Sequence, residues 1–183
     1  MRRNWPWVLV VLAVAVVGHF AIVAATPRLV NTVWLTFLNS AGMKANELSN
    51  GTRAKLAGRD VVGYDNPDNM SSFLIFDVSK GPVRIHVPVI RDAVYWSICA
   101  VDDDTNVFLL LRDRDLTSDD AVVVLVRTGD TYTPLKAEHV AVAPTARGVV
   151  LLRTIMRNRY DGKEVARLAA EKAKGYAEIV IAR

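Results

Sequence analysis

Residues 73–87 read Phe73-Leu74-Ile75-Phe76-Asp77-Val78, then Ser79-Lys80-Gly81-Pro82, then Val83-Arg84-Ile85-His86-Val87. An apolar run, a turn signal and a run that alternates with period two are the marks of strands. Val83, Ile85 and Val87 face one way, Arg84 and His86 the other, so this strand has one face toward a core and one toward water. Gly81-Pro82 suits a tight hairpin connection. The pattern repeats downstream at 94–101, 106–111, 121–128, 139–142 and 148–156. Asp92, Asp102-Asp103-Asp104, the stretch 113–120, Gly129-Asp130 and Pro144 separate the runs. Seven β-rich runs at this spacing predict a mainly β fold, an antiparallel β-sandwich or jelly roll. A parallel α/β fold is not expected, because no helix-length segment separates the strands. The run 122–126 is apolar on both faces and is expected at the centre of a sheet. Tyr95 and Trp96 point to opposite faces, so one of them fills the core.

Outside the strands the periodicity changes. Residues 161–174 are rich in Glu, Lys, Ala, Leu and Arg and predict a C-terminal helix, with Gly175 as its cap. Residues 176–183 suit a last strand or more helix equally. Residues 7–25 hold 17 apolar residues out of 19 and no charge beyond the ionisable His19. At 1.5 Å per residue this segment is about 28 Å long, close to the ~30 Å hydrocarbon core of a bilayer. Trp5 and Trp7 sit at an interfacial position, and Pro6 is tolerated at a helix start. Arg2 and Arg3 precede the segment and only Arg28 follows closely, which places the N-terminus in the cytoplasm. Val23-Ala24-Ala25 also fits a signal-peptide cleavage site, but the apolar run exceeds the usual h-region. Val30, Val33, Trp34, Phe37, Leu38 and Ala41 then form an apolar stripe at helical spacing, ended by Gly42. We therefore expect a transmembrane anchor (or signal peptide) over 1–27, an amphipathic helix and linker over 28–49, and an exported β-rich domain over 50–183.

The chain has 183 residues, 23 basic and 19 acidic side chains and a net charge of +4. Without residues 7–25 the apolar fraction falls to about 47%, an ordinary globular value. Disordered, collagen-like and generally basic nucleic-acid-binding classes are excluded. A single cysteine, Cys99, excludes an intrachain disulfide and a cysteine zinc cage. From residue 147 onward there are nine basic and four acidic side chains, and from 60 to 130 six and thirteen. Such a dipolar layout steers an anionic headgroup or an acidic partner toward one end.

Asp102, Asp104 and Asn106 have the spacing that opens a calcium loop. Val107 stands where that loop needs glycine, and Asp113 where it needs glutamate, so a solvated acidic turn is the expected structure. His86 and His139 are two isolated histidines, too few for a zinc site. No Gly-x-Ser-x-Gly elbow and no phosphate-cradling glycine loop is present. Cys99 lies inside a strand run and reads as a small buried apolar group. No metal or cofactor is expected.

Asn66-Pro67-Asp68-Asn69, Ser72, Phe76-Asp77-Val78-Ser79-Lys80-Gly81-Pro82-Val83, Val87-Pro88, Tyr95-Trp96-Ser97, Asp102 and Thr105-Asn106-Val107-Phe108 follow in order. This ordered set, with Arg153-Thr154 near the end, resembles the bacterial family called domain of unknown function 1254, over roughly residues 50–175. The resemblance implies a β-rich, jelly-roll-like domain and little chemistry. Met70-Ser71 replaces the family's usual Leu-Tyr, so no role of that tyrosine carries over. Long members continue into a β-rich domain of unknown function 1214, which for a short, membrane-anchored member is expected on a companion protein. Structural duty accounts for most motif residues: Asn66 and Asp68 flank Pro67 in a turn. A ligand groove lined by Asp68, Asn69, Tyr95, Asp102 and Asn106 is the functional alternative.

The sequence thus points to a single-pass protein of the cell envelope. It would be anchored in the inner membrane through residues 7–25, with its β-domain on the periplasmic side. Its partner would be a companion domain, or an envelope glycan or lipid, and not nucleic acid. The alternative is a hydrolase or isomerase using Asp and His at strand ends, completed by a second chain. That chemistry requires His86 or His139 within hydrogen-bond reach of an aspartate in a pocket.

Overall fold

The computed structural model describes residues 5–40, 42–49, 55–56, 59–60 and 68–180. The elements are helix α1 (Trp5–Ser40), two-residue strands β1 (Lys55–Leu56) and β2 (Arg59–Asp60), and strands β3 (Asn69–Asp77), β4 (Val83–Pro88), β5 (Tyr95–Asp102) and β6 (Val107–Arg112). Then follow β7 (Asp120–Arg127), β8 (Glu138–Ala143), β9 (Arg147–Ile155), helix α2 (Gly162–Lys172) and β10 (Tyr176–Ile179). All seven apolar runs are strands. With β10 they form two four-stranded sheets, ordered β3-β9-β5-β6 and β10-β4-β7-β8. The last segment is settled as strand β10, antiparallel to β4. Asn66 and Pro67, and residues 181–183, lie outside the described residues.

The inner faces of the two sheets meet in one core. Phe76, Trp96, Ile98 and Leu152 enter from the first sheet, and Ile85, Val123 and Leu125 from the second; all are buried. Trp96 is the inward member of the Tyr95-Trp96 pair. Strand β4 alternates buried and half-buried along its length, with Val83, Ile85 and Val87 inward. Strand β7 lies between β4 and β8, as its two-faced apolarity requires. Its outward Val124 and Val126 are also buried. On that side Arg84, Tyr132, Glu138 and Glu178 join in one network: Arg84 donates to both glutamates and to the Tyr132 hydroxyl. Burial pushes the Glu138 carboxyl up, but the Leu135 N–H, the Tyr132 hydroxyl and Arg84 hold it below its ordinary range.

Several local expectations are corrected. Strands β7 and β8 pair in parallel, joined by the connection 128–137, so the second sheet is not wholly antiparallel. Strands β3 and β4 belong to different sheets, so Gly81-Pro82 turns a corner of the sandwich and is no hairpin. The apolar segment and the following amphipathic stripe are one helix, continuous through Pro27. Proline's fixed φ is helical, and its cost is one missing backbone donor. Gly42 stops α1 with φ 87° while the N–H groups of Gly42 and Met43 return to Asn39 and Leu38. Helix α2 is capped by Asp161, whose carboxylate accepts from the Lys163 and Glu164 N–H groups. Its C-cap is Ala173, not Gly175. Gly175 is small for another reason: a Cβ there would stand 2.9 Å from Leu48 and 3.0 Å from Val87.

Lys172, on the last turn of α2, is 2% exposed and donates to the Met70 carbonyl at 2.5 Å. Burial lowers its pKa to about 7 from the ordinary 10.5. The unfolded chain therefore binds one more proton between those values, and stability rises with pH across that window. Removing the amine in Lys172→Met should flatten the rise by up to about 1.4 kcal/mol per pH unit, read by denaturation of the full chain in detergent from pH 6 to 10. A Cβ on Gly148 in β9 would stand 2.6 Å from the Phe76 ring and closer still to the Val101 carbonyl, so none fits. Gly148→Ala should lower stability by about 1–3 kcal/mol in the same assay.

Candidate functional site

The five residues singled out from the sequence fall at two ends of the first sheet. Strand β5 runs from Tyr95 to Asp102, about 23 Å at ~3.3 Å per residue. Asp102 and Asn106 stand at one end of it. Asn69 and Tyr95 stand at the other, both paired with Ile155 of β9, and Asp68 adjoins them. The structure does not bring all five into one groove.

The end with Asp102 faces helix α1. Asp102, 3% exposed, accepts from the N–H groups of Asp104 and Asn106 at 2.9 and 2.8 Å and from the Asn106 amide at 3.2 Å. Its carboxylate thus closes the β5–β6 turn, which passes through Thr105 at φ 66°. The neighbouring carboxylates reach outward. Asp103 accepts from Asn31 at 2.8 Å, and Asp104 pairs with Arg28 at 2.5 Å. Burial, with Asp102 and Asp104 close by, pushes the Asp103 carboxyl up, whereas the Arg28 hydrogen bond holds Asp104 down. Further along α1, Leu38 is fully buried against Ile75 and Val149, with Trp34 and Phe73 beside them. Between helix and sheet lies a cleft of ≈ 770 Å³ lined by Arg28, Thr32, Thr36, Asn39, Asp103, Thr145 and Arg147, among others. The acidic turn that resembles a calcium loop is therefore a helix-docking element. Among the described residues no three His, Cys, Asp or Glu side chains converge on a metal position.

At the opposite end the outward face carries a polar row, two of whose members, Ser97 and Arg153, belong to the ordered motifs. Ser71 of β3 pairs with Arg153 of β9, Arg153 with Ser97 of β5, and Ser97 with Arg112 of β6. These four residues cross the whole sheet in one register line. Asn69 donates to the Ser71 hydroxyl at 2.7 Å. Arg112 is held by Asp115 at 2.7 Å, which raises the arginine pKa and lowers that of the aspartate. Arg159 lies 3.8 Å from Asp68. Cys99, one row further along the same face, is half-buried, and burial pushes its thiol up.

The histidines do not share a site. His86 faces outward from β4 and stacks on Tyr176 at 5.1 Å. His139 has the inward parity of Ala141 and Ala143 on β8. Neither hydrogen-bonds a carboxylate among the described residues. Sequence reasoning also missed the polar atoms inside the core: Ser72 Oγ, Trp96 Nε1 and Thr154 Oγ1 are buried with no hydrogen-bond partner. Met70, Thr154 and Trp96 stand in one row, and Lys172 reaches the Met70 carbonyl there. Only the strand register exposes this grouping.

Asp102→Asn keeps the side chain's shape but trades one acceptor oxygen for a donor that faces N–H groups. We expect a loss of about 1–3 kcal/mol in denaturation, while Asn106→Asp, which sets two carboxylates together, should cost a similar amount.

The family model for proteins of unknown function called DUF1254 matches residues 45–174. Among solved structures, the VPA0106 protein of Vibrio parahaemolyticus aligns with a TM-score of 0.62 at 14% identity, over 84% of this chain and 36% of that one. An uncharacterized protein of Burkholderia cenocepacia aligns with a TM-score of 0.42 at 18% identity, over 67% of this chain and 32% of that one. The chain spans about a third of the length of these solved proteins. No curated protein matches it. The Vibrio likeness supports the two-sheet architecture alone. With the family model covering most of the sandwich and helix α2, this chain belongs to the DUF1254 family.

Proposed function

We propose that this protein is a single-span component of the cell envelope, anchored by residues 7–25, whose β-domain stands on the periplasmic side and binds a partner. The partner is a companion domain of the unknown-function 1214 kind, or an envelope glycan or lipid. One observation carries this reading: α1 is a single helix with two different jobs. Its apolar part is long enough to cross a membrane and is not buried by the rest of the chain. Its part from Arg28 onward is keyed to the β-domain through Arg28, Asn31 and Leu38. A helix that continues unbroken through Val23-Ala24-Ala25 favours an uncleaved anchor over a removed leader. Arg2 and Arg3 before the span favour a cytoplasmic N-terminus.

Catalysis by Asp and His at strand ends is not favoured, because His86 and His139 leave the second sheet on opposite faces and neither hydrogen-bonds a carboxylate among the described residues. A binding role asks less of the residues present: a rigid two-sheet module and a face that offers polar groups.

The test is membrane fractionation with an intact-mass measurement. The full chain should stay in the membrane pellet after carbonate washing and keep its N-terminal residues. Protease added outside intact spheroplasts should digest the β-domain. Release by carbonate, a mass that begins after Ala25, or protection of the domain from external protease would overturn the proposal.

A further inference from the structure

We propose that the outward face of the first sheet carries an oxyanion site, in which Arg153 and Arg112 bracket a phosphate-ester or carboxylate group above the Ser97 hydroxyl. This deepens the binding role and depends on it only for the source of the ligand. The β9 and β6 strands that carry the two arginines are separated by β5 alone, so their Cα atoms lie about 10 Å apart. Two arginine side chains are long enough to span that gap, and Ser97 lies between them in the register.

Three observations converge on this row. Arg153 is exposed on the sheet and makes no ion pair or hydrogen bond among the described residues. A guanidinium presents a planar fork of donors that suits the two oxygens of a carboxylate or phosphate. Arg112 gives Nε and Nη2 to Asp115, which leaves its Nη1 uncommitted. Ser97 is 1% exposed, yet no hydrogen bond to its hydroxyl is present among the described residues. That hydroxyl is free to donate, and an anion oxygen held between the arginines would accept from it. The same face is occupied by α1 around Phe73, Ile75 and Val149, and those contacts do not extend to the row of Arg153. Asp115 is the acidic group held at Arg112, so Arg153 keeps its charge unbalanced.

Amide chemical shifts of the full chain in neutral detergent micelles read the site directly, titrated with inorganic phosphate and separately with acetate at constant ionic strength. Saturable shifts are expected at residues 71, 97 and 153 with one anion or both. Arg153→Gln should weaken binding at least tenfold and Ser97→Ala several-fold. Arg127→Gln, an exposed arginine on the other sheet, should bind like the natural chain. Stronger phosphate binding assigns a phosphoester source, and stronger acetate binding a carboxylate source. No saturable shift with either anion, or unchanged binding in Arg153→Gln, overturns the site. A protein washed off membranes by carbonate that still bound anions through Arg153 would remove the anchor and leave the site standing.

Discussion

Strand β9 is held on both sides, by nine pairs with β3 and eight with β5. Because side chains alternate faces, that ladder decides what every neighbouring residue does. Leu152 and Thr154 are sent into the core, and Val149, Leu151 and Arg153 to the opposite surface. A slip of one residue would bury the Arg153 guanidinium and strip the core of Leu152. Gly148 pins the end of the ladder, since the Phe76 ring and the Val101 carbonyl occupy the space a side chain would need. The polar row, the helix-docking patch and the packing of Trp96 all inherit their positions from this register.

The second constraint is where α1 rests. Ile75 and Val149 face away from the main core and would be wet without Leu38 and Trp34 over them. Burial of each such side chain contributes ~1.5–3 kcal/mol, so the apolar contact holds the helix and the polar pairs orient it. Arg28 is largely exposed, and its bond to Asp104 adds little strength by itself. Asn31 and Asp103 are more enclosed and fix the rotation of the helix about its axis. The acidic turn is what makes this possible. Asp102 folds the loop, and the next two carboxylates are thereby aimed at the helix.

Much of this was legible in the residues, and the failures have physical causes. All seven strands follow from short apolar runs set between turn signals, and Tyr95 and Trp96 sort to opposite faces as alternation demands. The ordered motifs identify the family without help from coordinates. Pairing is what the pattern does not encode. Nothing in the run around Val124 tells that its second face is covered from the side of Tyr132 and Glu138, or that β8 runs parallel to β7. The apolar segment and the amphipathic stripe read as two helices because their patterns differ, and a change of pattern does not show whether the backbone is continuous. The groove drawn through Asp68, Asn69, Tyr95, Asp102 and Asn106 grouped residues by motif, whereas a strand's length separates them. The row of Ser71, Arg153, Ser97 and Arg112 joins four distant stretches of chain, and no local spacing announces it.

A helix of 36 residues without a joint is about 54 Å long at 1.5 Å per residue. No swivel separates its bare portion from its docked portion. Were its apolar portion to cross a bilayer as proposed, any tilt imposed there would be passed on undamped to the sandwich, as a mast passes on the roll of a hull. The bearing of the arginine row relative to the lipid plane would then be set by the bilayer's thickness as much as by the protein. A thicker membrane, by standing the span more upright, would turn that row to a different compass point without altering a single contact inside the fold.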